Sequence, residues 1–172
     1  MLITHLFHIA IKTPDLDATR LFYTELLGMQ LAPRPEMAFP GLWIKAPTLG
    51  GDAILHFYGG WADKDRSGKV PVGTAAIDHV AIAAIGYYEL RDRLKAAGLS
   101  YRENKVPEVP VWQIFVHDPS AVLLEISFNL VVEKQPHPKI SAKAQYTPGE
   151  VWFDAAEYRQ FSAGSRARAK SH

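Results

Sequence analysis

The stretch that decides the fold is Ile77-Asp78-His79-Val80-Ala81-Ile82, because it repeats Leu6-Phe7-His8-Ile9-Ala10-Ile11 almost position for position. Each hexapeptide predicts a β-strand, since its residues alternate on the two-residue period, and each has a histidine at the same register. A helical pattern ending in glycine follows each hexapeptide, and three strand-like runs follow each helix. The sequence therefore predicts an α+β fold of two βαβββ modules, with a site built between the two halves.

The predicted elements have the same order in both halves. The first helix begins at Thr13-Pro14-Asp15, where Thr13 can cap and proline suits the first helical position. Gly28 and Gly98 fit left-handed C-terminal caps of the two helices. The predicted bounds are strand 3–12, helix 13–28, strands 29–34, 42–46 and 53–58, then strand 76–83, helix 87–97 and strands 100–105, 111–116 and 122–128.

A C-terminal extension follows the repeat. It begins as an arm rich in proline and lysine and ends in a basic tail. Thr147-Pro148-Gly149-Glu150 matches a capping box and predicts a helix over about 148–161, whose aromatic face must pack on the core or on another subunit. The predicted organisation is one domain over 1–132, made of modules 3–60 and 76–129 with the linker 61–75, and the extension 133–172.

Composition excludes several classes of protein. The 172 residues are 48% hydrophobic and 22% charged, which is ordinary for a soluble globular chain. A net charge of +1 argues against binding to nucleic acid or to an anionic membrane surface. The absence of cysteine removes disulfides, thiolate metal sites and cysteine nucleophiles. No signal-peptide pattern or membrane-spanning apolar run occurs, so we expect a cytoplasmic protein.

Strand parity identifies four candidate metal ligands. Glu125 is an isolated carboxylate in an apolar strand, and burying a charge is costly unless a cation or metal compensates it. Glu125 follows His79 by 46 residues, and His56 follows His8 by 48 residues. Each half therefore offers one ligand-type residue on its first strand and one on its fourth. Two imidazoles and a carboxylate form a set that holds Fe(II), Mn, Ni or Zn and leaves positions open for substrate.

Each candidate also has a purely structural interpretation. A lone strand histidine is most often a hydrogen-bonded structural residue, and Glu125 could pair with Lys12 or Arg102. Agreement in register across the repeat favours the ligand interpretation. His117 abuts the predicted Asp118-Pro119 turn and is a poor ligand candidate. Four aromatic residues could line a cavity for an aromatic or apolar substrate, or could equally well fill the core. They are Trp43, Tyr58, Trp112 and Phe115.

The chain resembles the vicinal oxygen chelate superfamily, which includes glyoxalase I, extradiol dioxygenases, methylmalonyl-CoA epimerase and bleomycin-binding proteins. The resemblance covers residues 3–129. It implies paired modules closing around a cavity, a divalent metal bound by residues matching His8, His79 and Glu125, and by analogy a homodimer. The motifs that carry it are His8 with Asp15-Leu16, Phe22-Tyr23 and Leu27-Gly28, then Asp78-His79-Val80-Ala81, and Asp118-Pro119 with Leu124-Glu125.

Two positions depart from the pattern of that superfamily. Glyoxalase I-like members usually have glutamate or glutamine where this chain has His56, so His56 is either a fourth ligand or an acid/base. Extradiol dioxygenases use a pocket histidine as acid/base, and a tyrosine where this chain has Phe115. Ala121 stands where the family commonly has glycine, which implies a different turn geometry.

The resulting hypothesis is a metalloenzyme acting on a small substrate chelated through vicinal oxygens. The reaction preferred here is ring cleavage by an Fe(II)-dependent, extradiol-type dioxygenase, which His56 supports and the missing tyrosine opposes. A glyoxalase I-like lyase, an epimerase or an isomerase using Zn, Ni or Co is the second reading. The third hypothesis is a non-catalytic drug-binding resistance protein. It ranks last because the intact set of His8, His79 and Glu125 argues for a metal.

Overall fold

The computed structural model describes most of the chain, namely residues 1–47, 54–136 and 138–162. These residues form two compact units, the first containing the described residues up to 71 together with 161 and 162, and the second containing those from 72 to 160. Each unit has one four-stranded mixed sheet and a helix, so the predicted pair of βαβββ modules is confirmed. The boundary after Pro71 lies within the predicted linker.

In the first unit, the first strand pairs with the fourth in parallel, and the third strand lies antiparallel between the fourth and the second. The first helix begins at Asp15 instead of Thr13, because the Asp15 carboxylate accepts a hydrogen bond from the Ala18 amide at 2.8 Å. Gly28, at φ +71°, follows its end as predicted. The elements are β1 (Ile9–Lys12), α1 (Leu16–Leu21) continued by a π-helical turn (Phe22–Leu26), β2 (Gln30–Ala32), β3 (Gly41–Lys45) and β4 (Leu55–Tyr58).

The second unit repeats this topology, because its first strand lies beside its fourth, the fourth beside its third, and the third beside its second. Tyr87 at the start of its helix packs on Trp112 and Phe128, with ring centroids 5.3 and 5.4 Å apart. Across the described part of the chain, no helix has both the length and the apolar character needed to cross a membrane. The elements are β5 (Val80–Ala84), α2 (Tyr87–Ala96), β6 (Tyr101–Lys105), β7 (Val111–His117), β8 (Leu123–Asn129) and α3 (Leu130–Glu133), followed by two 3-10 helices (Ala142–Ala144 and Ala155–Phe161).

The first strand of each unit is shorter than predicted. The predicted strands 3–12 and 76–83 correspond to β1 and β5, which begin only at Ile9 and Val80. Alternation of apolar residues does not make a strand without a neighbour to pair with. Before β5 the backbone turns instead, since the Ile77 amide donates to the carbonyl oxygen of Thr74 at 3.0 Å. His8 and His79 therefore lie just outside the two strands.

The predicted helix over 148–161 is wrong in its first half, because only Ala155–Phe161 is helical. The Glu150 amide donates to the Thr147 carbonyl in a turn that has Gly149 at φ +81°. The carboxylate of Glu150 accepts from the guanidinium of Arg102, so it does not complete a capping box. Tyr158 and Phe161 are buried, which confirms core packing for this part of the aromatic face. The predicted basic tail, from residue 163 onward, lies outside the described residues.

The turn between β7 and β8 keeps a geometry that suits glycine. Asp118 accepts backbone hydrogen bonds from Ser120 and Val122 through its carboxylate. Ala121 adopts φ +61°, in the left-handed region that glycine enters most easily. Ala121 is therefore held in a costly conformation, and the different turn geometry that alanine implies at this position stays a prediction.

Candidate metal centre

The four predicted ligand residues occupy equivalent places in the two units. His8 directly precedes β1, and His79 directly precedes β5. The residue two positions after His8 lies opposite His56, and the residue two positions after His79 lies opposite Glu125. The predicted agreement in register is therefore confirmed. The first unit brings His8 to His56, and the second unit brings His79 to Glu125.

The second unit contains a row of polar side chains centred on His79. Its Nε2 lies 3.0 Å from Oε2 of Glu125, and its Nδ1 lies 2.6 Å from Oδ1 of Asp78. The hydroxyl of Ser127 donates to the other oxygen of Glu125 at 2.6 Å. We name these four residues the His79 cluster. The hydrogen bonds orient the imidazole of His79 and leave its Nε2 directed at one carboxylate oxygen.

Within the second unit, the ion pair of Glu125 with Arg102 does not form, because Arg102 binds Glu150 instead. In the first unit, the ammonium of Lys12 donates to the backbone oxygen of Lys64 at 2.8 Å. Glu125 is only 8% exposed, yet its hydrogen-bond partners are an imidazole and a hydroxyl. Because neither partner carries a permanent positive charge, a bound cation would compensate the buried carboxylate.

The donor atoms of this cluster fit one divalent ion. Imidazole nitrogen and carboxylate oxygen bind zinc-like ions at about 2.0–2.2 Å, so neighbouring donors lie about 3 Å apart. The 3.0 Å between Nε2 of His79 and Oε2 of Glu125 matches that separation. Asp78 on Nδ1 is the outer partner that metal-bound histidines commonly have. Among the described residues, no group of three or more histidine, aspartate or glutamate side chains is placed so that it could hold a metal ion. The third ligand thus stays a prediction.

In the first unit, three rings are stacked. The centroids of His8 and His56 lie 3.9 Å apart with planes 20° from parallel, and those of His56 and Trp43 lie 4.1 Å apart with planes 7° from parallel. His56 is 7% exposed. Nδ1 of His8 is buried and has no hydrogen-bond partner among the described residues. A buried nitrogen without a partner is unusual, and a bound ligand or ion would compensate it.

The stack bears on the two roles predicted for His56. An imidazole binds a metal through a lone pair that lies in the plane of its ring. The planes of His8 and His56 are nearly parallel and offset by the stacking distance, so they do not meet at a point within bonding reach of both rings. The two histidines therefore cannot bind one ion in this arrangement. The geometry favours His56 as a neighbour of a ligand over His56 as a fourth ligand.

Three of the four aromatic residues predicted for a pocket share a sheet face with a candidate ligand. Trp43 lies opposite His56 in the β3–β4 pair, and Tyr58 is two residues beyond His56 on the same strand. Phe115 lies opposite Glu125 in the β7–β8 pair. Because side chains two residues apart point to the same face of a strand, all three belong to ligand-bearing faces of their own sheets.

Trp112 does not belong to this group. It neighbours Phe115 by three positions along β7, so its side chain points to the opposite face of the sheet. The indole is 1% exposed and packs against Tyr87 of α2. The prediction that Trp112 lines a pocket is therefore wrong, because the residue fills the core between sheet and helix.

The C-terminal extension lies against the sheet of its own unit. Gln145 pairs with Glu103 of β6, and the Tyr146 amide donates to the Glu103 carbonyl at 2.9 Å. The ring of Tyr146 stacks on Phe115 at 3.7 Å, and its hydroxyl lies 3.3 Å from Oδ1 of Asp78. Burial and the negative charge of Asp78 raise the pKa of this phenol. The extension thus places the side chain of Tyr146 beside the His79 cluster.

His117 at the end of β7 lies beneath the extension. Its ring contacts Trp152 and Phe153, with centroids 4.7 and 5.5 Å away. Burial lowers the pKa of His117 to about 4, the cation of Arg102 lowers it as well, and the carboxylate of Glu157 raises it in part. His117 is therefore neutral at pH 7. Aromatic rings therefore surround its imidazole, and the prediction that His117 is a poor ligand candidate stays a prediction.

Sequence reasoning missed three residues of the His79 cluster and its surroundings. Asp78 directly precedes His79 in the repeated motif, and Ser127 has the strand parity of Glu125, so spacing alone could have assigned both. Tyr146 gave no such signal, because it lies in an irregular segment whose path no periodicity predicts. Only the structure brings Tyr146 to Asp78.

Comparison with known proteins agrees with this architecture. A family model described as Glyoxalase/Bleomycin resistance protein/Dioxygenase superfamily matches residues 5–126. A "Probable lactoylglutathione lyase" of Vibrio parahaemolyticus is 28% identical over 133 residues, which are 72% of this chain and 90% of that protein. A protein of the same name from Vibrio cholerae is 28% identical over 141 residues, 77% of this chain and 93% of its own. The fosfomycin resistance protein FosX of Listeria monocytogenes has the same fold, with a TM-score of 0.53 at 18% identity over 74% of this chain and 94% of that one.

Proposed function

Because the chain belongs to the Glyoxalase/Bleomycin resistance protein/Dioxygenase superfamily, we propose that it is a metal-dependent lyase or isomerase that moves a proton on a small substrate held through neighbouring oxygen atoms. The observation that carries the proposal is the His79–Glu125 pair, whose donor atoms lie 3.0 Å apart and whose outer hydrogen bonds are already in place. The relatives named lactoylglutathione lyase support this reaction class.

His79 and Glu125 would hold the metal, with His8 as the third ligand that the family resemblance implies. The buried, unpaired Nδ1 of His8 supports its inclusion. Zinc, nickel, cobalt, manganese and iron(II) all suit two imidazoles and a carboxylate. When bound, such an ion supplies a Lewis acid that polarises substrate oxygen atoms. Asp78 and Ser127 orient the two ligands of the second unit through His79 Nδ1 and Glu125 Oε1.

His56 would act as the proton-transferring base. Stacking on His8 and Trp43 restrains its ring, and the stacked arrangement disfavours it as a co-ligand of His8. A restrained imidazole beside a ligand is suited to accept a proton from a substrate carbon and to return it to a neighbouring atom. Its replacement by alanine should therefore lower kcat while metal content stays unchanged.

Ring cleavage by an Fe(II)-dependent, extradiol-type dioxygenase is the second candidate. One observation favours it: position 56 holds histidine, whereas glyoxalase I-like members usually have a glutamate or glutamine there. The relatives named as lyases give this candidate no support. We therefore place it behind the proton-transfer reaction, which reverses the order expected from the sequence.

Metal analysis of the purified chain tests the proposal. Protein prepared anaerobically without a metal-affinity tag should contain or rebind about one divalent ion per chain. His79→Ala removes a ligand and Glu125→Gln replaces an anionic oxygen ligand by a neutral amide, so each should weaken metal binding by at least about 100-fold, more than the loss of an outer hydrogen-bond partner. Glu108→Gln, which changes an exposed carboxylate of the same unit, is the matched control and should bind normally.

Activity then separates the candidates. Zn-, Ni- or Co-loaded protein should form S-lactoylglutathione from methylglyoxal and glutathione, or should epimerise a related carbonyl compound. Oxygen uptake on catechols by Fe(II)-loaded protein alone would favour the dioxygenase. A chain that binds none of these ions would refute the metalloenzyme and leave a binding protein.

A further inference from the structure

The segment that carries Tyr146 is anchored to the edge of the second sheet. Gln145 lies parallel to Glu103 of β6, and its side-chain amide donates to Oδ1 of Asn104 at 3.0 Å. The backbone amide of Tyr146 donates to the Glu103 carbonyl. These contacts tie the backbone up to the Tyr146 amide to the edge of β6, so the sheet fixes the point from which the Tyr146 side chain starts.

The ring of Tyr146 is held in one orientation. It stacks on Phe115 with centroids 3.7 Å apart and planes 6° from parallel, and it meets Trp152 edge-on at 6.1 Å. Phe115 in turn contacts the His79 imidazole edge-on at 5.7 Å. Tyr146 is thereby aimed along the sheet face at the His79 cluster.

The phenol of Tyr146 and the imidazole of His79 both lie within hydrogen-bond distance of the same carboxylate oxygen of Asp78. Oδ1 of Asp78 accepts from Tyr146 Oη at 3.3 Å and lies 2.6 Å from His79 Nδ1. The Asp78 side chain is 62% exposed, so solvent competes for its carboxylate. A second donor on the same oxygen restricts the rotation of that carboxylate. Restricting Asp78 also restricts the His79 ring, whose Nε2 lies 3.0 Å from Oε2 of Glu125.

We propose that Tyr146 is a positioning residue for His79, acting through Asp78. The inference deepens the proposed function and rests on it only for the role of His79 as a metal ligand. The hydrogen bonds themselves belong to the described second unit. Residue 146 lies beyond the family match, which ends at 126, so this chain's own extension supplies the contact.

Tyr146→Phe is the informative variant, because it keeps the stacked ring and removes only the hydroxyl. Tyr88→Phe is the matched control: its hydroxyl donates to the Pro136 carbonyl at 2.7 Å in the same unit, away from the cluster. Asp78→Asn marks the larger effect expected when the direct partner of His79 changes. Backbone amide spectra should show that all three variants keep the wild-type fold.

The first readout needs no metal. In the metal-free chain at fixed pH, the Nδ1 proton of His79 is followed by ¹H–¹⁵N NMR and assigned with His79→Gln. Its exchange with solvent should be about three- to tenfold faster in Tyr146→Phe and unchanged in Tyr88→Phe. The second readout is Zn(II) affinity by chelator competition. It should weaken about three- to tenfold in Tyr146→Phe and about 10- to 100-fold in Asp78→Asn.

The two readouts distinguish the inference from the proposed function. If Tyr146→Phe changes the His79 proton but the wild-type chain binds no Zn(II), the positioning role stands and the metal proposal fails. If the wild-type chain binds Zn(II) but Tyr146→Phe matches Tyr88→Phe in both readouts, the positioning role is overturned and the metal proposal stands.

Discussion

Acidification should lower the free energy of unfolding of the second unit, and part of this loss should come from His117, a buried histidine that stays neutral in the folded chain. An ordinary histidine has a pKa of 6.5, whereas burial beneath the extension lowers that of His117 to about 4. Between these two values the unfolded chain binds a proton that the folded chain excludes. The stability contributed by neutral His117 is therefore present above pH 6.5 and is lost as the pH falls from 6.5 to 4.

The magnitude follows from the interval between the two pKa values. Each pH unit within it lowers the free energy of unfolding by at most about 1.4 kcal/mol, so the upper limit is roughly 3 kcal/mol. His117 is 8% exposed, so some solvent reaches it, and the pKa of about 4 already includes the opposing effect of the Glu157 carboxylate. We expect a loss of about 2 kcal/mol from this residue, a substantial part of the stability of an ordinary domain.

Urea unfolding at a series of pH values from 7.5 to 4 measures this loss. His117→Phe keeps an aromatic ring between Trp152 and Phe153 but removes the titrating group. The difference in unfolding free energy between wild type and this variant should change by about 2 kcal/mol across the series. His5→Phe, at an exposed position, is the control and should track the wild type. A difference that stays flat within about 0.5 kcal/mol would refute the burial argument.

Two further changes test the backbone and the extension. Ala121→Gly should stabilise the chain by about 0.5–1 kcal/mol in urea unfolding, because Ala121 has φ +61°; a loss of stability would show that the turn prefers alanine. Tyr158→Phe should destabilise it by about 1–2 kcal/mol, because the Tyr158 hydroxyl donates at 2.7 Å to the buried carbonyl of His117. An unchanged midpoint for Tyr158→Phe would mean that water replaces this hydrogen bond.

The repeat could be predicted from the sequence because periodicity fixes which face each side chain occupies. The parity of β8 separates Glu125 from its apolar neighbours, and the same two-residue offset places both histidines against their partners. Strand ends were less predictable. A strand extends only as far as a neighbouring strand forms hydrogen bonds with it. Just before β5, the chain instead forms a turn closed by a hydrogen bond between Thr74 and Ile77.

The extension could not be predicted because its contacts are distant in sequence. Glu150 suits a capping box locally, but Arg102, 48 residues away, binds its carboxylate. Tyr146 reaches Asp78 across 68 residues. Neither partner can be identified from the composition of the segment, since a long-range hydrogen bond leaves no periodicity in the sequence.

Equivalent register does not give the two units equivalent chemistry. His56 and Glu125 occupy matching positions, yet imidazole and carboxylate behave differently beside a histidine. An imidazole offers a flat apolar face, so His56 stacks between His8 and Trp43. A carboxylate has no such face and is costly to bury unless it accepts hydrogen bonds, so Glu125 meets His79 edge to edge. The repeated backbone therefore fixes where the side chains stand. The side chain at the fourth strand decides whether a unit presents a stack of rings or an imidazole paired with a carboxylate.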